Sequence, residues 1–283
     1  MVDGREENEA EKRRSAEKLV SYPEVTIVLP VFRNKETLKA LHTRLGHVMD
    51  PLRIGYEVLF VDDACPEGSL DILKELIQID PHAGVLVLKE NVGQYRAVMT
   101  GLSHARGKTV VVMDADLQDP PEAIPRLLSE LRRGPAAVFA GRRGHYESSI
   151  RLLTSRLFKR VLHLLCGTPV DAGLFVAMTR QMVESLLAFD DPHCFSVAMI
   201  GCTGLPVTSI SVERNQRPIG RSSYTFWRRL GIACRTIAKI PVWKLRNDRP
   251  APVQDLYGAE VKALLGTPFD QRSDETPRSL TKF

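Results

Sequence analysis

The chain has 283 residues, 43% of them apolar and 26% charged, with 19 glycines, 18 prolines and a net charge of +5. That is enough chain to bury a full core in one large or two ordinary domains, and it excludes collagen-like, coiled-coil and wholly disordered classes. No apolar run approaches the roughly 18 residues that a bilayer-crossing helix needs.

Residues 1–23 open the chain as a charged extension with no apolar stretch, so they are read as a flexible segment and not as a signal peptide. Short β-branched apolar runs then recur at Val25–Leu29, Tyr56–Val61, Val85–Leu88, Val110–Met113 and Ala136–Ala140. This is the pattern of strands buried on both faces. Helical periodicity fills the gaps at Lys35–Met49, Ser69–Ile79, Gln94–Ala105 and Glu122–Arg132, with Asn34, Ser69 and Pro121 placed as start signals. The alternation predicts an α/β domain over residues 24–225, a Rossmann-like, parallel-rich sheet flanked by helices. Residues 226–249 form a basic amphipathic segment, in which Pro241 is expected to end or kink a helix. Residues 250–283 are read as a flexible tail with some helical character near Gly258–Leu265. The five cysteines, Cys65, Cys166, Cys194, Cys202 and Cys234, are odd in number and include no CxxC pair. This argues against a disulfide framework or zinc site and suits a reducing cytoplasm.

Ligands of open α/β sheets bind beyond the carboxyl ends of the strands, so the polar residues there carry the functional reading. The first strand ends in Pro30-Val31-Phe32-Arg33-Asn34 and the second in Asp62-Asp63. The third leads into Asn91-Val92-Gly93-Gln94-Tyr95-Arg96, and the fourth ends in Asp114-Ala115-Asp116-Leu117-Gln118-Asp119. None is a glycine-rich phosphate loop of the dinucleotide or P-loop kind. Carboxylates cannot hold phosphate unaided; they need a divalent cation between. Asp114, Asp116 and the amide oxygen of Gln118 are hard ligands suited to Mg2+ or Mn2+ on a diphosphate. The competing reading is a solvated acidic turn before a helix, with Asp119 favouring the helix dipole. Asp62-Asp63 suits a base or ribose, or else an Asx turn. Arg96 suits a phosphate, or else a helix surface.

Val25-Thr26-Ile27-Val28-Leu29-Pro30-Val31-Phe32, Val61-Asp62-Asp63, Asn91-Val92-Gly93 and the run from Asp114 to Glu122 together resemble glycosyltransferase family 2. Within it they are most similar to the polyprenyl-phosphate branch, which includes dolichol-phosphate mannose synthases and bactoprenol glucosyltransferases. The resemblance runs from about Val25 to about Thr236. It implies a GT-A fold, a nucleotide-sugar donor, Mg2+ or Mn2+, and inversion at the transferred sugar. By the same resemblance Pro30, Phe32, Glu36 and Asp62 line the nucleoside pocket. Asp114 meets ribose or sugar and metal-bound phosphate, and Asp116 and Gln118 hold the metal. Arg214, Arg217, Gly220, Ser222 and Tyr224 match the family's basic donor-gating stretch. Ser223 stands where that stretch usually has a basic residue, and Val176 stands at or near an arginine position of relatives. Asp171 lies where relatives place a carboxylate and is the candidate base.

Ten of the basic residues fall between Arg214 and Arg249 against one acid, Asp248, leaving −4 for the rest of the chain. In that block Leu230, Ile232, Ile237, Ile240, Val242 and Trp243 interleave with arginines and lysines. This suits an interfacial segment on anionic lipid with Trp243 at headgroup level, or else a basic helix packed on its own domain or on a second copy, so a homo-oligomer stays open. A nucleic-acid partner is disfavoured, because the block is aliphatic-rich and carries no recognition motif. The expected protein is thus a cytoplasmic transferase, peripheral at the inner face of the cell membrane, acting on polyprenyl phosphate. The alternative is the same donor chemistry with a soluble small-molecule hydroxyl acceptor.

Overall fold

The computed structural model describes residues 22–143, 149–189, 197–214, 226–246 and 260–266. In chain order the elements are β1 (Val25–Val31), a 3-10 turn (Lys35–Thr37), α1 (Leu38–Met49), β2 (Tyr56–Asp62), α2 (Ser69–Ile79), β3 (Ala83–Leu88), α3 (Gln94–His104) and β4 (Thr109–Val112). A second 3-10 turn (Pro121–Ala123), α4 (Ile124–Leu131), β5 (Ala137–Arg143), α5 (Ser149–Cys166), β6 (Val176–Thr179) and α6 (Arg180–Leu187) follow. The last described elements are α7 (Val197–Cys202), β7 (Val207–Glu213), α8 (Phe226–Arg246) and β8 (Val261–Leu265).

The strands form one sheet in the order β7-β5-β6-β4-β1-β2-β3-β8. β1 pairs in parallel with β2 and β4, β2 with β3, and β5 with β7. β6 runs antiparallel to both β4 and β5, and β8 antiparallel to β3. Six strands therefore point the same way, and their carboxyl ends share one edge of the sheet. Side chains alternate across it. Ile27, Leu29 and Val31 meet α1, α2 and α4 on one face, while Val28 meets α3 and the later helices on the other. On α3, Gly101 allows the close approach: a Cβ there would stand 2.4 Å from Val28 Cγ1. The amino edge of the sheet is sealed by charge. Glu57, 2% exposed, accepts from Thr26 Oγ1 (2.7 Å) and from the backbone N and Nε of Arg106 (2.9 Å each).

Every strand and helix expected from periodicity in residues 24–132 is present, with ends within three residues of the expected ones. Several local expectations are corrected. Ser69 is the first helical residue rather than the cap; Gly68 caps α2 at φ 76°, and the Ser69 hydroxyl donates to Cys65 Sγ. Asn34 Oδ1 accepts from the Phe32 N–H instead of capping a helix. The tail is not wholly flexible or helical, since Val261–Leu265 adds strand β8 to the sheet edge. Pro241 does not end α8, which runs through it to Arg246. Trp243 is not at a lipid headgroup level. It is 2% exposed and stands edge-on to Phe189 with ring centroids 6.3 Å apart. Thr236 and Ile240 are buried with it, so the apolar stripe of α8 closes the core against α5 and α7. No helix among the described residues is long and apolar enough to cross a membrane.

Candidate functional site

The site begins where one ladder ends early. β1 pairs β2 as far as Val31–Asp62 but pairs β4 only to Val28–Val112. Alternate residues of a strand point their backbone groups to opposite neighbours. The Val28 carbonyl accepts from Met113 N on the β4 side, and the Val31 carbonyl accepts from Asp63 N on the β2 side. Pro30 therefore faces β4, at the point where β4 has already turned away and no donor is needed. A crevice opens between β1 and β4 where the strand order reverses, the position at which such sheets take ligands.

Carboxylates line this crevice, and the structure gives each a different environment. Asp63 is a latch. It accepts from Val92 N (2.7 Å), Gly93 N (3.0 Å) and Asn91 Nδ2 (2.9 Å), and so fixes the loop into α3. Gly93 adopts φ 87°, which aims that turn of backbone at the carboxylate. Burial raises the Asp63 pKa, while the Val92 and Gly93 N–H groups and Arg96 pull it down. Asp62, on the neighbouring backbone position, is 3% exposed, and its Oδ1 has no hydrogen-bond partner among the described residues. Burial pushes its pKa up to about 6 against the pull of the Cys65 N–H, and the Asp63 charge adds to the rise. Arg96, on the first turn of α3, likewise has a buried Nε without a partner among the described residues.

The loop after β4 supplies the rest. Leu117 sits at φ 61°, a left-handed conformation that costs an L residue about 1–2 kcal/mol. The resulting tight turn lets Asp116, 6% exposed, accept from Gln118 N at 3.1 Å. Thr37 ties this loop to the one after β1, donating to both Ala115 O (2.6 Å) and Asn34 O (2.9 Å). Gln94 Nε2 donates to Asp114 Oδ1. Arg214, at the end of β7, donates from Nε to Asp119 Oδ1 (3.1 Å) and stands 3.8 Å from Asp114 Oδ2. Asp119 thus anchors the arginine.

Of the expected site residues, the fold brings Pro30, Phe32, Asp62, Asp114, Asp116, Gln118 and Arg214 to this one edge. Pro30 is buried, whereas Phe32 is 38% exposed with the Arg33 guanidinium 5.4 Å from its ring centroid. Glu36 is exposed on the 3-10 turn beyond them. Asp171 precedes β6 and comes to the same edge, with Oδ2 only 1.9 Å from where a Cβ on Gly141 of β5 would stand. Only glycine at 141 leaves that carboxylate its place. Val176 is fully buried within β6 and cannot serve as a surface contact. Arg217, Gly220, Ser222 and Tyr224 lie outside the described residues. Thr37, Gln94 and Asp119 were not picked out by sequence reasoning as site residues, and no local spacing marks them.

Asp114, Asp116 and Gln118 carry hard oxygen atoms, the donor type that suits Mg2+ or Mn2+. Among the described residues no three His, Cys, Asp or Glu side chains gather for a metal ion. A cation here would complete its shell from water and phosphate oxygens, as Mg2+ ordinarily does.

Residues 26–194 match the family described as "Glycosyl transferase family 2". The chain is 30% identical over 211 residues to the uncharacterized glycosyltransferase YkcC of Bacillus subtilis, covering 74% of this chain and 65% of that one. It therefore spans a little under two thirds of that relative's length. Among solved structures, the Pyrobaculum calidifontis mannosyltransferase PcManGT, determined with GDP-Man and Mn2+, superposes with a TM-score of 0.55 at 20% identity, covering 83% of this chain and 67% of that one. Glucosyl-3-phosphoglycerate synthase of Mycobacterium tuberculosis, in complex with phosphoglyceric acid, gives 0.57 at 18% identity, covering 88% and 92%. The fold is GT-A.

Asp62 should leave a signature in stability. A carboxyl raised from 3.8 to about 6 contributes stability that is fully present below pH 3.8 and lost as pH rises through about 6. Chemical denaturation of Asp62→Asn should match the parent near pH 4 and exceed it at pH 7. Parallel stability profiles in the two proteins would show that Asp62 ionises as freely folded as unfolded.

Proposed function

The chain belongs to glycosyl transferase family 2, and on that premise we propose that it is a metal-dependent, inverting transferase that moves a sugar from a nucleoside-diphosphate donor to polyprenyl phosphate. The observation that carries the donor half is the crevice itself. It holds a buried carboxylate, Asp62, whose Oδ1 has no hydrogen-bond partner among the described residues, and the exposed ring of Phe32. On its other wall a hard-oxygen set stands against an arginine. A nucleoside offers hydroxyl and N–H donors to Asp62 and a flat face to Phe32. Its diphosphate then reaches Asp114 and Arg214.

Breaking the bond from sugar to diphosphate leaves negative charge on the departing phosphate. Mg2+ or Mn2+ held by Asp114, Asp116 and Gln118 would act there as a Lewis acid. Arg214 adds charge-assisted N–H donors, already oriented by Asp119. Gln94 fixes the rotamer of Asp114. A phosphate acceptor is ionised at neutral pH and needs no base, so for it Asp171 orients the acceptor or the sugar. Attack from the face opposite the leaving group inverts the anomeric carbon.

The lipid half rests on surface chemistry. Leu164 is 83% exposed at the end of α5, Val170 follows it at 50%, and Val242 is 50% exposed on α8, where Lys244 is also exposed. Apolar tips beside a strongly basic helix suit reversible contact with an anionic bilayer.

A second reading, a soluble hydroxyl acceptor, is favoured by one placement: the Asp171 carboxylate lodged against Gly141 at the same sheet edge. A hydroxyl nucleophile needs a base within hydrogen-bond reach, and this is the carboxylate to provide it. The mycobacterial neighbour of the same fold, a glucosyl-3-phosphoglycerate synthase determined with glucosyl-3-phosphoglycerate, supports a soluble acceptor as the second reading.

Asp116→Ala should abolish both transfer and donor hydrolysis while the fold and its melting temperature persist, and EDTA should silence the parent. Normal turnover of the variant at saturating Mn2+ would remove Asp116 from the metal set. The acceptor is decided by Asp171→Asn. With a lipid phosphate the loss should stay well under the 10²–10⁴-fold typical of a missing general base, which is about the loss expected with a hydroxyl acceptor. Co-sedimentation supplies the membrane test. Changing Arg228, Arg229, Arg235 and Lys239 to Gln should release the protein from anionic vesicles and leave metal-dependent donor binding unchanged. Equal binding to anionic and neutral vesicles would remove the electrostatic docking and favour the soluble acceptor.

A further inference from the structure

The loop that carries Asp171 starts from a pair of thiols. Cys166 ends α5 and Cys202 ends α7; they are 7% and 2% exposed and share an apolar cluster with Leu162 and Trp243. The two helix ends are in tight contact. A Cβ on Gly201 would stand 2.3 Å from the Cys166 carbonyl oxygen and 2.7 Å from Thr168 Cγ2, which sets the adjoining Cys202 beside Cys166. As a thiol, Cys166 donates to Leu162 O at 3.0 Å, and Thr168 Oγ1 lies 3.9 Å from its sulfur. Neither sulfur is in a disulfide.

The surroundings favour a thiolate on one sulfur and a proton on the other. A hydrogen bond from Cys202 is the largest influence on Cys166 and brings its pKa down to about 7, with Thr168 and the Lys244 ammonium helping and burial opposing. The same contact, reinforced by burial, pushes the Cys202 thiol up. A buried structural cysteine is normally inert because its thiolate is penalised, and here that penalty is offset by the neighbouring donors and cation.

We propose that Cys166 and Cys202 are a dithiol modification site, which a hydroperoxide closes to a disulfide joining α5 to α7 at the root of the Asp171 loop. The Cys166 thiolate attacks the peroxide, the O–O bond breaks, and Cys166 becomes a sulfenic acid while the departing oxygen takes up a proton to leave as water (or an alcohol from an organic peroxide). The Cys202 sulfur then attacks the sulfenic sulfur. The S–S bond forms, the S–O bond breaks, and the hydroxide leaves as water with the Cys202 proton. Two thiols lose two electrons and two protons, and one peroxide gains them. A reductant such as a dithiol reverses the change, so the oxidised form is transient wherever such a reductant is present.

The test uses the full chain. Protein treated with hydrogen peroxide is unfolded in acid, its remaining thiols are blocked with maleimide, and the peptides are mapped by mass. The expected product joins the peptides of Cys166 and Cys202, is two hydrogens lighter than the reduced pair, and disappears after dithiothreitol. In Cys202→Ala the joined peptide should be absent, and Cys166 should instead be trapped by dimedone as the sulfenic acid. The parent map decides by itself if that variant does not fold. Both cysteines still carrying maleimide after peroxide, or Cys166 joined to Cys194 instead, would overturn the proposal.

Discussion

Everything at the candidate site follows from the parting of β4 from β1 after Val112. A parallel sheet satisfies its backbone groups by keeping neighbours in register, so a ladder that stops three residues short on one side must dispose of the unmatched donors. Pro30 removes one of them covalently. The Val28 carbonyl takes Met113 N as the last rung. Beyond that point Thr37 ties the loop after β1 to the loop after β4, its hydroxyl spanning the gap to Ala115 O. The crevice is therefore a consequence of backbone bookkeeping at three residues, and the side chains around it occupy a space the sheet has already opened.

That space concentrates negative charge, and the distribution of partners decides what each carboxylate can do. Asp63 spends its oxygens on the Asn91–Gly93 backbone and side chain. Asp119 is committed to Arg214, Asp116 accepts from its own turn, and Asp114 is shared between Gln94 and Arg214. Asp62 keeps a buried oxygen, Oδ1, with no hydrogen-bond partner among the described residues. A buried polar atom without a hydrogen bond costs about 1–3 kcal/mol. A fold that retains such an atom at its open edge is spending stability on an atom positioned to accept a bond from outside. The amino edge shows the opposite solution: both Glu57 oxygens are engaged, by Thr26 and Arg106.

The sequence exposes the first part of this readily. β1 to β5 are β-branched runs at regular spacing, and the helices between them have clear apolar stripes, so the order of elements and the acidic strand ends can be read directly. β6 and β8 are only four and five residues long. β7 is largely half-exposed at the sheet edge, and none of these three has a hydrophobic pattern that stands apart from its surroundings. The partners of the crevice residues were hidden for a different reason. Thr37 meets Ala115 across 78 positions and Arg214 meets Asp119 across 95, contacts that no local spacing encodes. Asp62 and Asp63 look equivalent in sequence. They differ because adjacent strand residues face opposite ways, and only the arrival of the α3 loop beside one of them separates latch from free acceptor.

α8 carries the most instructive ambiguity. Tryptophan, isoleucine and regularly spaced basic residues describe an interfacial helix and an ordinary packed helix equally well, since both need one apolar stripe. Which is realised depends on whether other helices lie alongside, and here α5 and α7 do, taking up Ile240 and Trp243. That part of the stripe is consumed inside the protein, and among the described residues apolar side chains such as Leu164, Val170 and Val242 remain outside. Any bilayer affinity must then come chiefly from charge, at about 1 kcal/mol for each basic residue near an anionic surface, with little burial to add. An attachment of that kind dissociates at raised ionic strength, because its main term is screened within a Debye length. It would let the enzyme visit a lipid phosphate without being anchored to it, and it would place no demand on the α5–α7–α8 packing that holds the Asp171 loop.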